Sequence, residues 1–193
     1  MTDQLDIFGA RPTPPLPEGF TYRRDVITAD AEREVVDAVR ALPFREFEFH
    51  GYTGKRRVVS FGWRYDFAER VLHTADDMPP FLVRLRETAA AVAGLAPEAL
   101  QHVLVTEYAD GAGIGWHRDK AVFGDVVGVS LLSHCTFRLR RDVGERWERV
   151  SITAEPRSAY LLRGPSRTEW EHSIPGVDAL RYSITYRNLR EER

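Results

Sequence analysis

Cysteine is almost absent from this chain, occurring once, as Cys135. No internal disulfide can form, and 193 residues are enough to bury a core without one. A reducing, cytoplasmic compartment is the expectation. Lysine is nearly missing too. Only Lys55 and Lys120 occur, and every other cation is arginine. The formal net charge of -2 argues against a strong non-specific binder of nucleic acid. No apolar run is long enough to span a bilayer, and the stretch from Met1 to Asp6 is acidic with no apolar segment. Neither a membrane anchor nor a secretory leader is therefore expected, and no internal repeat is visible.

What is present divides into three stretches. Residues 1–20 contain the closely spaced Pro12, Pro14, Pro15 and Pro17, which exclude helix and central strand and predict an extended arm. Residues 21–193 are expected to form a single domain. Within it, Thr28 or Asp30 can cap a helix whose apolar stripe is Val35, Val36, Val39 and Leu42, stopped at Pro43. A second helix opens at Pro80, turns Phe81, Leu82, Leu85, Ala89 and Val92 inward, and ends at Gly94. After Gly94 the pattern becomes a series of short strands, placed near His102–Tyr108, Val126–Leu132, Cys135–Arg141, Arg149–Thr153, Ser158–Arg163, Thr168–Ser173 and Ala179–Leu189. The fold class is mainly β with flanking helices (α+β), the helices covering one face of the sheet.

Between the two helices, residues 47–67 interleave aromatics, glycines and cations as no other stretch does. One reading is a hairpin whose rings fill the core and whose cations are solvated. The other is a substrate lid, with Trp63 and Tyr65 stacking on a base and Lys55, Arg56, Arg57 or Arg64 holding phosphates.

His117 and Asp119, two positions apart, fall on one side of an extended backbone. With one further imidazole, His172, they make the two-histidine, one-carboxylate set that leaves three positions open on non-haem Fe(II). Taken singly, each is an ordinary polar residue at a strand end. Downstream, Arg181, Ser183, Thr185 and Arg187 share one face of a β-reading segment. Two guanidinium forks pointing the same way suit a dicarboxylate. The ordinary fate of such arginines is pairing with surface carboxylates. His50, His73, His102 and His134 read as surface or core histidines, and Cys135 as a small buried residue. Phe137 and Leu139 are expected inward, leaving Arg138, Arg140 and Arg141 outward as a solvated face or a phosphate-tracking stripe.

The order Tyr108, His117, Asp119, Gly164 to Arg167, His172, then Arg181 to Arg187 resembles the AlkB family. Its members are Fe(II)- and 2-oxoglutarate-dependent dioxygenases that remove alkyl groups oxidatively, mostly from nucleic acids. The resemblance is dense from Val103 to Arg190. It implies a double-stranded β-helix (jelly roll) over residues 102–190, with His117, Asp119 and His172 as iron ligands. Arg181, Ser183, Arg187, Tyr108 and Thr106 would hold 2-oxoglutarate, with Arg181 at its far carboxylate and Arg187 nearer the metal. Trp63, Tyr65, Arg57 and Arg64 would meet the substrate. The implied reaction is demethylation of alkylated bases in single-stranded or flipped-out DNA or RNA, releasing formaldehyde, succinate and CO2, by a chain expected to be a monomer.

Three positions depart from the best-known AlkB pattern: Thr106 and Ser183 stand where asparagine is usual, and Ala121 replaces an acidic residue that contacts the damaged base in DNA-repair members. Both hydroxyl residues still donate a hydrogen bond, with shorter reach. Ala121 opens the same chemistry on tRNA, protein or a small molecule as an alternative. A jelly-roll binding module with a vestigial metal site is the second alternative.

Overall fold

The computed structural model describes residues 15–49, 52–66 and 72–190, and for 47–49, 52–54, 64 and 72 the backbone alone. Residues 1–14, most of the expected arm, lie outside the described residues. Helix α1 (Ala29–Arg40) starts where Thr28 Oγ1 accepts the Ala31 N–H at 3.1 Å, with Asp30 and Glu32 in its first turn and Arg40 in its last. That charge order suits the helix dipole. Val36 and Val39 are buried as expected, and Val35 and Leu42 pack partly buried beside them. Glu32 is buried as well, a feature the apolar stripe did not announce. Its carboxylate accepts from the Leu132 N–H at 2.9 Å and from Arg157 at 3.1 Å. Helix α2 (Pro80–Ala93) ends at Gly94, whose φ of 64° favours glycine.

Thirteen strands are described. They are β1 (Phe20–Arg23), β2 (Arg45–Phe49), β3 (Tyr52–Phe61), β4 (Trp63–Tyr65), β5 (Leu72–Thr74), β6 (His102–Tyr108), β7 (Ile114–His117), β8 (Phe123–Leu131), β9 (Cys135–Asp142), β10 (Trp147–Ala154), β11 (Ala159–Leu162), β12 (Glu171–Ile174) and β13 (Arg181–Leu189). Seven form one antiparallel sheet in the order β1-β11-β8-β13-β6-β3-β2, four a second in the order β10-β9-β12-β7, and β4 and β5 pair alone. The two facing sheets are the jelly roll. Two strand expectations need correction. The stretch Thr168–Ser173 is not one strand: Pro165 opens a short helix α3 (Pro165–Thr168), and β12 follows it. Phe20, assigned to the arm, is buried and opens β1 opposite Leu162. Strand β7 was not anticipated, because glycines around Ile114 erase the alternation that marks a strand.

The larger sheet separates two cores. Its outer face, with Val103, Val105, Val127, Val129, Leu131, Ile184 and Tyr186, packs on Val36, Val39, Leu82, Leu85 and Ala89 of the helices. Tyr186 adds a hydrogen bond to the Leu82 carbonyl at 2.7 Å, tying β13 to α2. Its inner face meets the smaller sheet through Val126, Phe137, Leu139, Tyr160 and Leu162, with the Phe137 and Tyr160 rings 4.4 Å apart. Tyr160 lies across Gly128, its register partner on β8, and a Cβ there would fall 2.3 Å from the ring. Gly128→Ala therefore forces the Tyr160 ring to move and is expected to cost about 1–3 kcal/mol. The urea midpoint reads this directly. An unchanged midpoint would show that the ring is not held there.

Candidate metal and cosubstrate site

His117 ends β7 and His172 lies on β12 directly opposite it in register, which brings the two rings to 4.2 Å between centroids. His117 Nδ1 donates to the Gly115 carbonyl at 2.9 Å, leaving Nε2 as the ring's free lone pair. Asp119 reaches the same place from the turn after β7. Its Oδ2 stands 3.6 Å from His172 Nε2, too far for a hydrogen bond. Its Oδ1 accepts from Arg187, through Nε at 2.8 Å and Nη2 at 2.7 Å. Among the described residues no three His, Cys, Asp or Glu side chains stand close enough together to hold a metal ion as they are placed; His172 is the common neighbour of the His117 ring and of Asp119.

The expected second cluster lines the inner face of β13. Arg181, Ser183, Thr185 and Arg187 are all buried, and Arg181 is 0 % exposed. Arg181 donates through Nη2 to Ser130 Oγ at 2.7 Å, and its guanidinium carbon lies 5.0 Å over the Tyr108 ring. Tyr108 is its register partner on β6, and Thr106 is opposite Ser183. The two arginines occupy opposite ends of one strand face, with Arg187 at the Asp119 end.

Whether these residues suit the implied groups can be judged from their hydrogen bonds. Four buried side-chain polar atoms among the described residues lack a partner: three are Asp119 Oδ2 and the Nε and Nη1 of Arg181. A buried orphan of this kind is costly, so each points to a ligand. An idle carboxylate oxygen beside the His172 imidazole, itself against the His117 ring, suits a divalent cation, and a guanidinium with two idle nitrogens suits a carboxylate. The donor set fits both groups.

Charge states agree. Burial alone would raise the Asp119 carboxyl, but Arg187 first, then His172, Arg167 and His117, hold it well below the usual carboxylate range. Burial pushes the His172 imidazole down to about 3, with the neighbouring His117 adding to the effect. His117 is lowered by burial, and the Arg56 and Arg187 charges contribute. All three candidate ligands are thus in the protonation states that metal binding needs near neutrality.

Three further residues support the site: Arg167, part of the resembling order but given no role of its own; His102, expected only as a surface or core histidine; and Arg56, expected as a phosphate-holding cation of the lid. Arg167 is buried and donates to the carbonyls of Lys120, Phe123 and Gly124, pinning the chain just after Asp119. His102 is opposite Arg187 in register and is buried. Arg56 pairs in register with Tyr108 and hydrogen-bonds to it, which puts it on the inner face. Its neighbour Arg57, expected at the substrate, points the other way: it ion-pairs with Glu107 at 2.8 Å and lies over the Phe44 ring. A strand alternates faces, so only one of two adjacent arginines can reach the mouth.

Trp63 and Tyr65 are half-buried on β4, and Lys120 Nζ lies 5.4 Å over the Tyr65 ring, linking β4 to the loop after Asp119. The Arg64 side chain lies outside what is described. On β9, Phe137 and Leu139 are inward as expected. The three outward arginines are not merely solvated. Arg140 sits between the Trp116 and Trp147 rings, at 4.4 and 4.1 Å, and ion-pairs with Glu171, while Arg141 pairs with Glu148 and Glu169. Cations so engaged form a poor track for phosphates.

A family model for the 2OG-Fe(II) oxygenase superfamily matches residues 20–187 of the chain. The chain is 26% identical over 198 residues to the Alkylated DNA repair protein ALKBH8 homolog of Arabidopsis thaliana, a match that covers 89% of this chain and 56% of that protein. It thus spans little over half the length of that relative. It is 24% identical over 190 residues to Uncharacterized protein L905 of Acanthamoeba polyphaga mimivirus, covering 91% of this chain and 87% of that one. In fold it is similar to OsALKBH1, with a TM-score of 0.70 at 16% identity, covering 92% of this chain and 100% of that chain.

The lowered imidazoles give a measurable consequence. Two histidines of ordinary pKa would lose about 1.5 protons together on binding a metal at pH 6. With His172 at about 3 and His117 also lowered, Mn(II) binding at pH 6 is expected to release fewer protons, with none coming from His172. Calorimetry in buffers of different ionisation enthalpy counts the protons. Release of one or more would mean that the pair is protonated in the free protein.

Proposed function

The chain belongs to the 2OG-Fe(II) oxygenase superfamily, and on that premise we propose that it demethylates an alkylated base of a nucleic acid. It is a 2-oxoglutarate-dependent dioxygenase, with Fe(II) as its metal. The observation that carries the reading is the pair of orphans at the two ends of β13. Asp119 Oδ2 stands 3.6 Å from the neutral His172 imidazole, and the fully buried Arg181 guanidinium has idle donors.

In this reading His117 Nε2, His172 Nε2 and Asp119 Oδ2 hold the iron. Arg181, beside Ser130 and Tyr108, receives the far carboxylate of 2-oxoglutarate, which could not be buried there without a cation. When bound, iron, 2-oxoglutarate and dioxygen supply the power to hydroxylate a C–H bond, and a hydroxylated N-methyl group leaves as formaldehyde. The residues of the chain bind, orient and keep the site dry. Phe137 stacks beside His172 at 5.5 Å and, with Tyr160 and Leu139, closes the floor against water.

Support for a nucleic-acid substrate comes from the segment before α2 and from the Arabidopsis relative, which is named as an alkylated DNA repair protein homolog. Trp63 and Tyr65 offer faces for a base. Arg56 and Lys120 lie toward the same end of the barrel. A base stacked inside a duplex cannot enter such a mouth, so the substrate is single-stranded or flipped out. A second reading keeps the chemistry and changes the target to a tRNA modification, a protein or a small molecule. It is favoured by the neutral Ala121 and by the Arg56 charge acting at His117, since many alkylated bases are themselves cationic.

Methylated single-stranded oligonucleotides, with Fe(II) and 2-oxoglutarate, are expected to yield formaldehyde in step with succinate. Succinate without formaldehyde from any methylated base would move the target to the second reading. No succinate under any condition would end both. Arg181→Gln is expected to weaken 2-oxoglutarate binding by at least about 30-fold, equivalent to about 2 kcal/mol, because it removes one partner of a buried charge pair. Equal affinity by calorimetry would displace the cosubstrate from that end. Trp63→Ala and Tyr65→Ala are expected to lower oligonucleotide affinity while sparing substrate-free succinate formation. Equal losses in both would make these rings purely structural.

A further inference from the structure

Arg187 fixes the metal-binding carboxylate, and something must in turn fix Arg187. The guanidinium uses Nε and Nη2 on the same oxygen, Asp119 Oδ1. Its remaining nitrogen, Nη1, lies 3.3 Å from His102 Nδ1. Arginine has donors only, so the imidazole nitrogen must accept, which requires its lone pair at Nδ1 and the ring proton at Nε2. His102 is the register partner of Arg187 across β6 and β13 and is 4 % exposed. Its ring lies 4.6 Å from Phe123, and the Arg187 guanidinium lies 5.3 Å over that same ring. One aromatic plate thus supports both members of the contact.

We propose that His102 is a positioning residue for the metal centre: as a neutral acceptor it locks the Arg187 fork onto Asp119 Oδ1, so that Oδ2 is the oxygen left for the metal. The inference rests on the metal reading above and goes beyond it. A carboxylate can rotate and exchange its two oxygens. With Oδ1 held by two donors of a guanidinium that is itself anchored, exchange would break both contacts at once, and the guanidinium could not swing to follow. Burial, and then the Arg187 charge, push the His102 imidazole well below its ordinary range, which keeps it an acceptor at neutral pH. A protonated ring would present a donor to a donor and release the fork.

The test uses the full chain and Mn(II) as the probe, with free Mn(II) followed by electron paramagnetic resonance. His102→Leu keeps bulk but deletes the acceptor, whereas His102→Asn offers its amide oxygen near the position of Nδ1. Loss of an outer partner of a metal ligand typically costs 10–100-fold in metal affinity. His102→Leu is expected to weaken Mn(II) binding by about 10-fold or more, and His102→Asn to restore most of it. The Co(II) ligand-field spectrum is expected to shift in the leucine variant and return in the asparagine one. Wild-type affinity in His102→Leu would overturn the proposal. So would equal weakening in both variants with a matching fall in denaturation midpoint, since that is the signature of lost packing. A wild-type chain that takes up no Mn(II) would sink the metal reading itself, and this proposal with it.

Discussion

The Asp119–Arg187 pair is the constraint around which the inner half of this molecule is arranged. Both side chains are under 10 % exposed, at 7% and 9%, and neither charge could remain there alone. The carboxylate needs the guanidinium, and the guanidinium needs a third contact, which His102 provides. Arg167 then ties down the loop that follows Asp119, by donating to the carbonyls of Lys120, Phe123 and Gly124. The result is a carboxylate with one oxygen held by Arg187 and the other, without a partner, 3.6 Å from the His172 imidazole.

Strand β13 makes this possible because its two faces have opposite chemistry. Tyr182, Ile184 and Tyr186 join the apolar core under the helices, while Arg181, Ser183, Thr185 and Arg187 line the space between the sheets. Slipping the register by one residue would bury the arginines under α2 and put aromatics in the pocket. Such a slip is prevented from both sides, by pairing with β6 and with β8 across nearly the full strand. Gly128 gives room for Tyr160 to lie across the pocket, so the polar track is closed on that side by a packed aromatic layer. Stability and function therefore draw on the same register.

The mouth is built differently. Its groups come from β3, β4 and the loop after Asp119, and cations outnumber acids among the main charges acting on His117 and His172. Arg56, Arg167 and Arg187 act there against Asp119 alone. Outside, the arginines of β9 are taken up by indole faces and carboxylates. This divides the arginine-rich composition into two kinds: structural on the smaller sheet, and electrostatic around the pocket.

Much of this was legible in the sequence. The helix caps at Thr28 and Gly94 follow from local backbone chemistry. The shared face of Arg181, Ser183, Thr185 and Arg187 follows from the period of a strand. Spacing and order were enough to propose His117, Asp119 and His172 as a set. Period alone did not say which of Arg56 and Arg57 faces inward, because both choices alternate equally well until β3 is paired with β6. It could not find β7 among glycines, nor separate α3 from β12. Nor could it give His102 a partner 85 residues away, a contact that exists only once two strands lie side by side. The sequence by itself determined which chemical groups were available and how each stretch would bend. The tertiary structure decided which of them meet, because burial and cross-strand register act between residues far apart in the chain and leave no local mark.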